Sequence, residues 1–461
     1  MPIPEDFEVT SQLITDAKHI VNQRAAIVRQ NERYFKGRNP HIIDQPKDKT
    51  PDNRIPVPFA KMAVEDLAGY AARPGDIITN VEPIEDDPED GYPELIQEIF
   101  EQNEENLETS ELYEDTLVFG EAFEAHWLDT EVDLGDGLFL PRFASVKVDH
   151  SVLVETDDLK PKPLAGVRFY DRVENEMTIH YAEVYIAEET ETWRRMGDEG
   201  RWILIPDMTR ALPYQTPGFI RYRANRKIEA IFEAEKEILD AQDKLVSKSI
   251  NEVDRYNALI TLFPGKINKE FRDKLLEMGV IDELGEYDRW PEYLEKNLAG
   301  INEFYNMLAD RLERLFHKSI KVPDFSDENF AGNASGIAIA YKLLGFEFKA
   351  AAIDSYFDKG LMRRIELIND AIRVSSKDMD PDAYRVTIQH NRNLPVDDAA
   401  LTMMAVQLNG ILSRETIIGR IIPSDIVDDT DAELERIAQE TEQRMNLLTD
   451  DEDDESEETE T

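Results

Sequence analysis

KIEAIFEAEKEILDAQDKLVSKSINEVDRYN, residues Lys227–Asn257, reads as a single amphipathic rod. Ile231, Ile238 and Leu245 recur every seven residues, and Phe232, Leu239, Val246 and Val253 run beside them at the same interval. Such a recurrence keeps one narrow apolar stripe facing a neighbouring helix. Thirty-one residues at about 1.5 Å rise predict a rod on the order of 45 Å long. A second rod, Glu292–Lys318, places Leu298, Ile301, Tyr305, Leu308, Leu312 and Leu315 at alternating gaps of three and four. The stripes fit packing of rod on rod, within one chain or between subunits. Between the rods, Ala258–Pro291 is a short mixed insert: a strand-like ALITLF, a turn at Pro264 and Gly265, and a helix Lys269–Met278. Rod, insert and rod predict an antiparallel hairpin with a head at its tip.

Outward from the hairpin, KVPDFSDENFAGNASG, Lys321–Gly336, is rich in helix breakers and polar residues. A loop of that length between long helices is usually functional or disordered. Ile337–Val374 predicts a third helix, with kinks at Gly345 and Gly360. Tyr384–His390 predicts a strand. Pro395–Asn446 reads as helical, broken at Ile422–Pro423, and an acidic low-complexity tail follows. Upstream, Phe7–Phe35 predicts a helix, Pro40–Pro58 a Pro-rich connector, and Phe59–Tyr70 and Tyr92–Phe119 two further helices. Short β-rich runs follow at Leu138–Val148, Ser151–Glu155, Leu164–Tyr170, Thr178–Ile186 and Trp202–Ile205. The fold class is α+β, mainly helical, with Met1–Gly218 one α+β unit.

The chain has 461 residues, 52 basic and 97 acidic, for a formal charge of −45. Hydrophobic residues make up 41%, enough to exclude global disorder. The absence of cysteine excludes disulfides, thiolate metal sites and thiol catalysis. No apolar run approaches the roughly 20 residues that span a bilayer, and MPIPEDFEVT lacks the pattern of a signal peptide. A soluble protein made and used inside a cell is expected. The surplus of carboxylates argues against a tight grip on phosphates; the tail Asp450–Thr461 alone holds nine acids and no base.

Catalytic and metal motifs are absent from the sequence. Gly265–Lys266 has no upstream glycine at P-loop spacing, and neither GxGxxG nor GxSxG occurs. His19, His41, His126, His150, His180, His317 and His390 form no HxH or HExxH pair. Asp129, Asp133 and Asp136, and Asp378, Asp380 and Asp382, read as solvated turns, not calcium loops. No catalytic residue, metal site or cofactor is therefore expected. Arg221, Arg223, Arg226 and Lys227 precede the first rod. Arg311, Arg314, His317, Lys318 and Lys321 end the second, where cations complement a helix dipole or touch phosphate.

HKSIKVPDFSDENFAGNASGIAIAYKLLGFEFKA resembles the segment before and through the long helix of phage portal proteins of the long-tailed siphophage type. YFKGRNPHI, NRIPVPFAKMAVEDLAGY (Asn53–Tyr70) and LYEDTLVFGEAFEAHW (Leu112–Trp127) are similar to the same family, in its order. The resemblance implies a ring, typically a homododecamer, at one capsid vertex of the virion, assembled from subunits made in the host cytoplasm. By position it implies a wing at 1–222, stem helices at 223–257 and 292–320, and a clip at 258–291. It further implies a tunnel loop at 321–335, a kinked wing helix and strand at 336–394 and a crown at 395–447; the acidic tail at 448–461 is expected to be disordered from its composition.

The implied function is a channel through which double-stranded DNA is packaged and later ejected. Terminase large subunit and then head-completion or adaptor proteins would dock on the clip, with major capsid and scaffold proteins as further partners and no membrane. Val322, Asp324, Phe325, Asp327, Glu328, Asn329 and Phe330 of the tunnel loop would face the channel, and Lys318 and Lys321 would offer phosphate contacts. Twelve copies would carry about −540 formal charges, a repelling wall along which a polyanion slides. Two other readings stay open: another structural connector or scaffold protein, and an acidic metal-dependent nuclease.

Overall fold

Thr10 opens the first long helix by accepting, through its side chain, a hydrogen bond from Leu13 N at 3.1 Å. The helix therefore starts at Ser11, not Phe7. The computed structural model describes residues 1–4, 7–46, 51–84, 90–174, 176–197, 200–257, 261–262, 292–293, 298–325, 336–375, 379–392, 407, 413–420 and 432–439.

The described helices are α1 (Ser11–Phe35), α2 (Pro40–Ile43), α3 (Phe59–Ala71), α4 (Tyr92–Gln102), α5 (Glu105–Phe119), α6 (Lys236–Asn257), α7 (Leu298–Ile320), α8 (Gly336–Val374) and α9 (Arg414–Arg420). The first strands are β1 (Pro2–Ile3), β2 (Ile77–Pro83), β3 (Glu121–Asp133), β4 (Phe139–Val146), β5 (Ser151–Thr156), β6 (Pro163–Glu174) and β7 (Met177–Ile186). They continue as β8 (Glu189–Met196), β9 (Ile203–Leu204), β10 (Arg210–Ala211), β11 (Phe219–Arg223), β12 (Thr261–Leu262), β13 (Glu292–Tyr293) and β14 (Tyr384–His390).

The chain divides into two compact units. The larger holds Met1–Phe325 and Leu343–Asn393; the smaller holds Ser326–Lys342 and Leu394–Thr461. In the larger, a seven-stranded sheet runs β1-β5-β6-β7-β8-β10, with β9 on β8, and a three-stranded sheet runs β11-β3-β4. β14 pairs antiparallel with β2, joining residues about 300 positions apart in sequence through Tyr384↔Pro83 to His390↔Ile77. Ile14, Ala17 and Val21 on one face of α1 bury against Val154, Val167 and Val184 of the large sheet. Apolar burial of this kind stabilises at about 25 cal/mol per Å². Of the smaller unit, the start of α8, α9 and a helical 432–439 are described.

Several expected boundaries move. The single helix read over Tyr92–Phe119 is two, because the Asn103 amide turns back on Ile99 O (2.7 Å) and Pro141 O (2.9 Å) and Glu104 adopts φ 51°. β2, β3, β8 and β11 were not among the predicted strands. In β3 and β8 the regular alternation is masked by interspersed acids and bases. α6 starts at Lys236, not Lys227. The Asn225 side chain accepts from Lys227 N (3.0 Å) and Glu229 N (3.2 Å), and Ile228 has φ 60°, so the chain there is a turn. Residues 292–293 are strand, paired with 261–262, and α7 begins at Leu298. α8 runs through both Gly345 and Gly360. At Gly360 a Cβ would meet the Tyr222 ring at 2.3 Å, so this glycine serves a close crossing of α8 over β11.

At that crossing Arg364, 1% exposed, enters the core. Its guanidinium pairs with both oxygens of Glu124 on β3, with Glu105 (2.8 Å) and with Thr109 Oγ1 (2.7 Å) on α5. It lies 4.5 Å from the Phe143 ring centre. Tyr222 donates to Glu124 at 3.3 Å, and His126 Nε2 lies 2.6 Å from Glu124. Burial opposes the Glu124 charge, but Arg364 and His126 outweigh it and hold the carboxyl down at about 2. Burial lowers His126, which Glu124 only partly offsets.

Replacing Arg364→Met leaves two buried carboxylates without their counterion and lowers the unfolding free energy by about 3–5 kcal/mol. Urea melts followed by tryptophan fluorescence test this; an unchanged midpoint contradicts it. The depressed Glu124 pKa stabilises the fold fully above about 4.5, and that contribution is lost as pH falls toward 2. Glu124→Gln removes this leg of the acid-unfolding profile.

Candidate functional site

α6 and α7 pack as a hairpin. At one end Ser319 Oγ donates to Glu235 Oε1 at 2.7 Å; at the other, β12 and β13 pair antiparallel through Thr261↔Tyr293. The two ends together make the hairpin antiparallel, as the rod–insert–rod pattern predicts. At 22 residues α6 is roughly 33 Å long, shorter than expected. Of the first stripe, Phe232 and Leu239 are buried and Val253 is exposed. Of the second, Tyr305, Leu308 and Leu312 are half-buried, Leu315 is exposed, and Phe316 and Ile320 take the buried positions near the base.

Beside that seam Phe304 is 55% exposed and Met307 56%, and the seam's own Leu315 is 44% exposed. On one α-helical face such residues form a strip with no cover within the described chain.

The polar side of α6 is not solvated, as its composition suggests, but covered. Asp240, Asp243, Ser247 and Asn251 recur at helical spacing and receive the Pro-rich connector. Asn39 Nδ2 donates to Asp240 and Asp243 (2.8 Å each), and Val57 N to Asp243 (2.7 Å). Ile55 N donates to Ser247 Oγ (3.0 Å) and Asn53 N to Asn251 Oδ1 (2.7 Å). Proline-rich chain cannot satisfy its own amides in a helix or sheet, so the α6 side chains do so. Tyr34 OH also donates to Asp240 at 2.6 Å, tying α1 to the same stripe.

At the C-terminal end of α7, Lys349 of α8 donates to Ile320 O at 2.7 Å and Ile231 O at 3.4 Å. Burial pulls its ammonium down to about 8, with Glu235 opposing. α7 stops where Lys321 takes φ 60°. Of the residues expected in the channel loop, Lys318 and Lys321 are exposed and Asp324 is half-buried. Phe325 is 43% exposed, with its ring 6.0 Å from Phe346. Val322 is 0% exposed; its side chain anchors the start of the segment and is no tip. Asp327, Glu328, Asn329 and Phe330 lie outside the described residues, as do most of 258–291, most of 395–447, and the tail.

Of the acidic groups read as solvated turns, Asp133 accepts from Gly135 N at 2.8 Å and Asp380 from Asp382 N at 3.1 Å, whereas Asp129 lies within β3 and pairs with Arg142 at 3.3 Å; Asp378 lies outside the described residues. Of the basic cluster, Arg221 pairs with Glu155 at 2.7 Å. One grouping escaped the sequence reading: Glu313, His317 and Asp324 each offer a ligand atom within 4.8 Å of the others. The spacing E-x3-H with Asp seven further on was its signal, obscured because a search for paired histidines passes over it.

Residues 15–447 match the family described as phage portal protein, SPP1 Gp6-like, and the chain belongs to that family. It is thereby a bacteriophage structural protein, a head–tail connector of the capsid vertex. No curated protein matches it. Among the described residues, no helix is long and apolar enough to cross a membrane.

Ser247→Ala and Asn251→Ala each remove about 1 kcal/mol of hydrogen bonding to the connector. Amide exchange at Ile55 and Asn53 respectively should quicken about fivefold, read by hydrogen–deuterium exchange. Unchanged protection would mean that the connector is held by other contacts.

Proposed function

We propose that the chain is one stave of a twelve-membered ring through which double-stranded DNA enters the capsid and later leaves. The observation that carries this is the exposed apolar face of α7, Phe304 and Met307 together with Leu315 at the edge of the seam used within the hairpin. A single chain leaves that face in water; an identical neighbour in a ring covers it. Family membership supports the ring.

In this reading α6 and α7 are the stem helices, 258–291 is the clip, and 321–335 is a loop that narrows the bore. Residues 1–222 and 336–394 form the wing, and 395–447 the crown. Terminase docks on the clip during filling, and head-completion proteins replace it. The net charge of −45 per chain supports a wall that repels phosphate, so that DNA slides. Lys318 and Lys321, both exposed, supply brief phosphate contacts, and Phe325 and the acids of the loop brace the duplex without holding it.

Negative-stain microscopy of the purified protein should show rings with an axial hole, and the paired change Phe304→Glu, Met307→Glu should convert them to smaller species. Rings that survive that pair of charges contradict the assigned face, and an absence of rings in the wild type contradicts the stave itself. Deleting 324–329 should leave rings intact but cut packaged DNA per particle severalfold. Normal packaging by the deleted ring would remove the loop from the mechanism.

A further inference from the structure

The geometry points to a divalent-cation site at the C-terminal end of α7, formed by Glu313, His317 and Asp324, with zinc as the ion it fits best. One ligand atom from each lies within 4.8 Å of the other two. Glu313 and His317 are four residues apart, so they share a helix face. The left-handed turn at Lys321 and the buried Val322 side chain then fold the chain back and bring Asp324 to the same spot.

The imidazole is prepared for ligation. His317 Nδ1 lies 2.9 Å from Val322 O. A carbonyl can only accept, so Nδ1 carries a proton, which leaves Nε2 as the atom an ion would take. A backbone carbonyl behind a histidine is the usual orienting partner of a metal ligand. The ring is further held edge-on by Phe59, with centres 6.4 Å apart.

All three groups are half-buried, reachable by an ion and partly shielded from water. Two carboxylates and a neutral imidazole balance a 2+ charge. Asp66 of α3 acts electrostatically on both His317 and Asp324, deepening the negative potential.

One nitrogen and two carboxylate oxygens suit zinc, with a water at the fourth position. Calcium wants six or more oxygens, and magnesium keeps most of its waters. Tetrahedral ligands at about 2.0–2.2 Å from zinc stand roughly 3.3–3.6 Å apart, so side-chain adjustments of about 1 Å close a site whose ligand atoms lie within 4.8 Å of one another. An ion here staples the last turn of α7 to Lys321–Phe325. The site stands whether or not the segment beyond it faces DNA.

Full-length protein, stripped with chelator, should bind one zinc per chain in calorimetry, at least tenfold tighter than magnesium or calcium. Glu313→Gln, at a half-exposed position, should weaken zinc at least tenfold with an unchanged circular dichroism spectrum. Zinc should slow amide exchange at Val322, Asp324 and Phe325 in the wild type and not in this variant. Asp324→Asn should behave alike. Wild-type zinc affinity in both variants, or equal exchange with and without zinc, overturns the site. Ring formation, scored separately by microscopy, bears on the stave and not on the metal.

Discussion

The Arg364 guanidinium inside the core is the constraint on which the larger unit depends. An arginine placed there is tolerated only because Glu124, Glu105 and Thr109 answer its donors and two aromatic rings cover its faces. Those partners come from β3 and α5, while Arg364 comes from α8. The network therefore fixes where the long helix crosses the sheet, and Gly360 one turn earlier lets the backbones come that close. A hydrophobic replacement of similar volume would fill the space but would not specify the register so narrowly.

The hairpin is set by a second, weaker system. Connector amides satisfied one after another by Asp243, Ser247 and Asn251 hold α6 along its length against α1 and its following segment. Each bond contributes on the order of 1 kcal/mol, so the row is distributed and tolerant where the Arg364 cluster is concentrated. The apolar face of α6 is thereby directed toward α7, and the remaining apolar face of α7 toward whatever lies outside the chain.

The hairpin, the third long helix and the β-rich run were legible because heptad spacing and β-branched clusters depend on local sequence. What stayed hidden is what non-local partners determine. β14 finds β2 across the chain, and no periodicity announces that pairing. Asp240, Asp243, Ser247 and Asn251 looked like a wet helix surface because proline-rich chain has no pattern of its own to mark it as their cover. Val322 looked like part of an exposed loop because Pro323 follows it, yet the αL turn at Lys321 carries it inward. Glu313, His317 and Asp324 meet only because that same turn reverses the chain. Family likeness was legible from linear motifs, since those survive without any knowledge of contacts.

Lys349 has a mechanical meaning. Its ammonium grips the terminal carbonyl of one strut of the hairpin and the carbonyl of Ile231, just ahead of the other, while its own backbone belongs to α8. The hairpin is thus tied directly to α8, the longest of the described helices, by contacts other than the covalent chain between them.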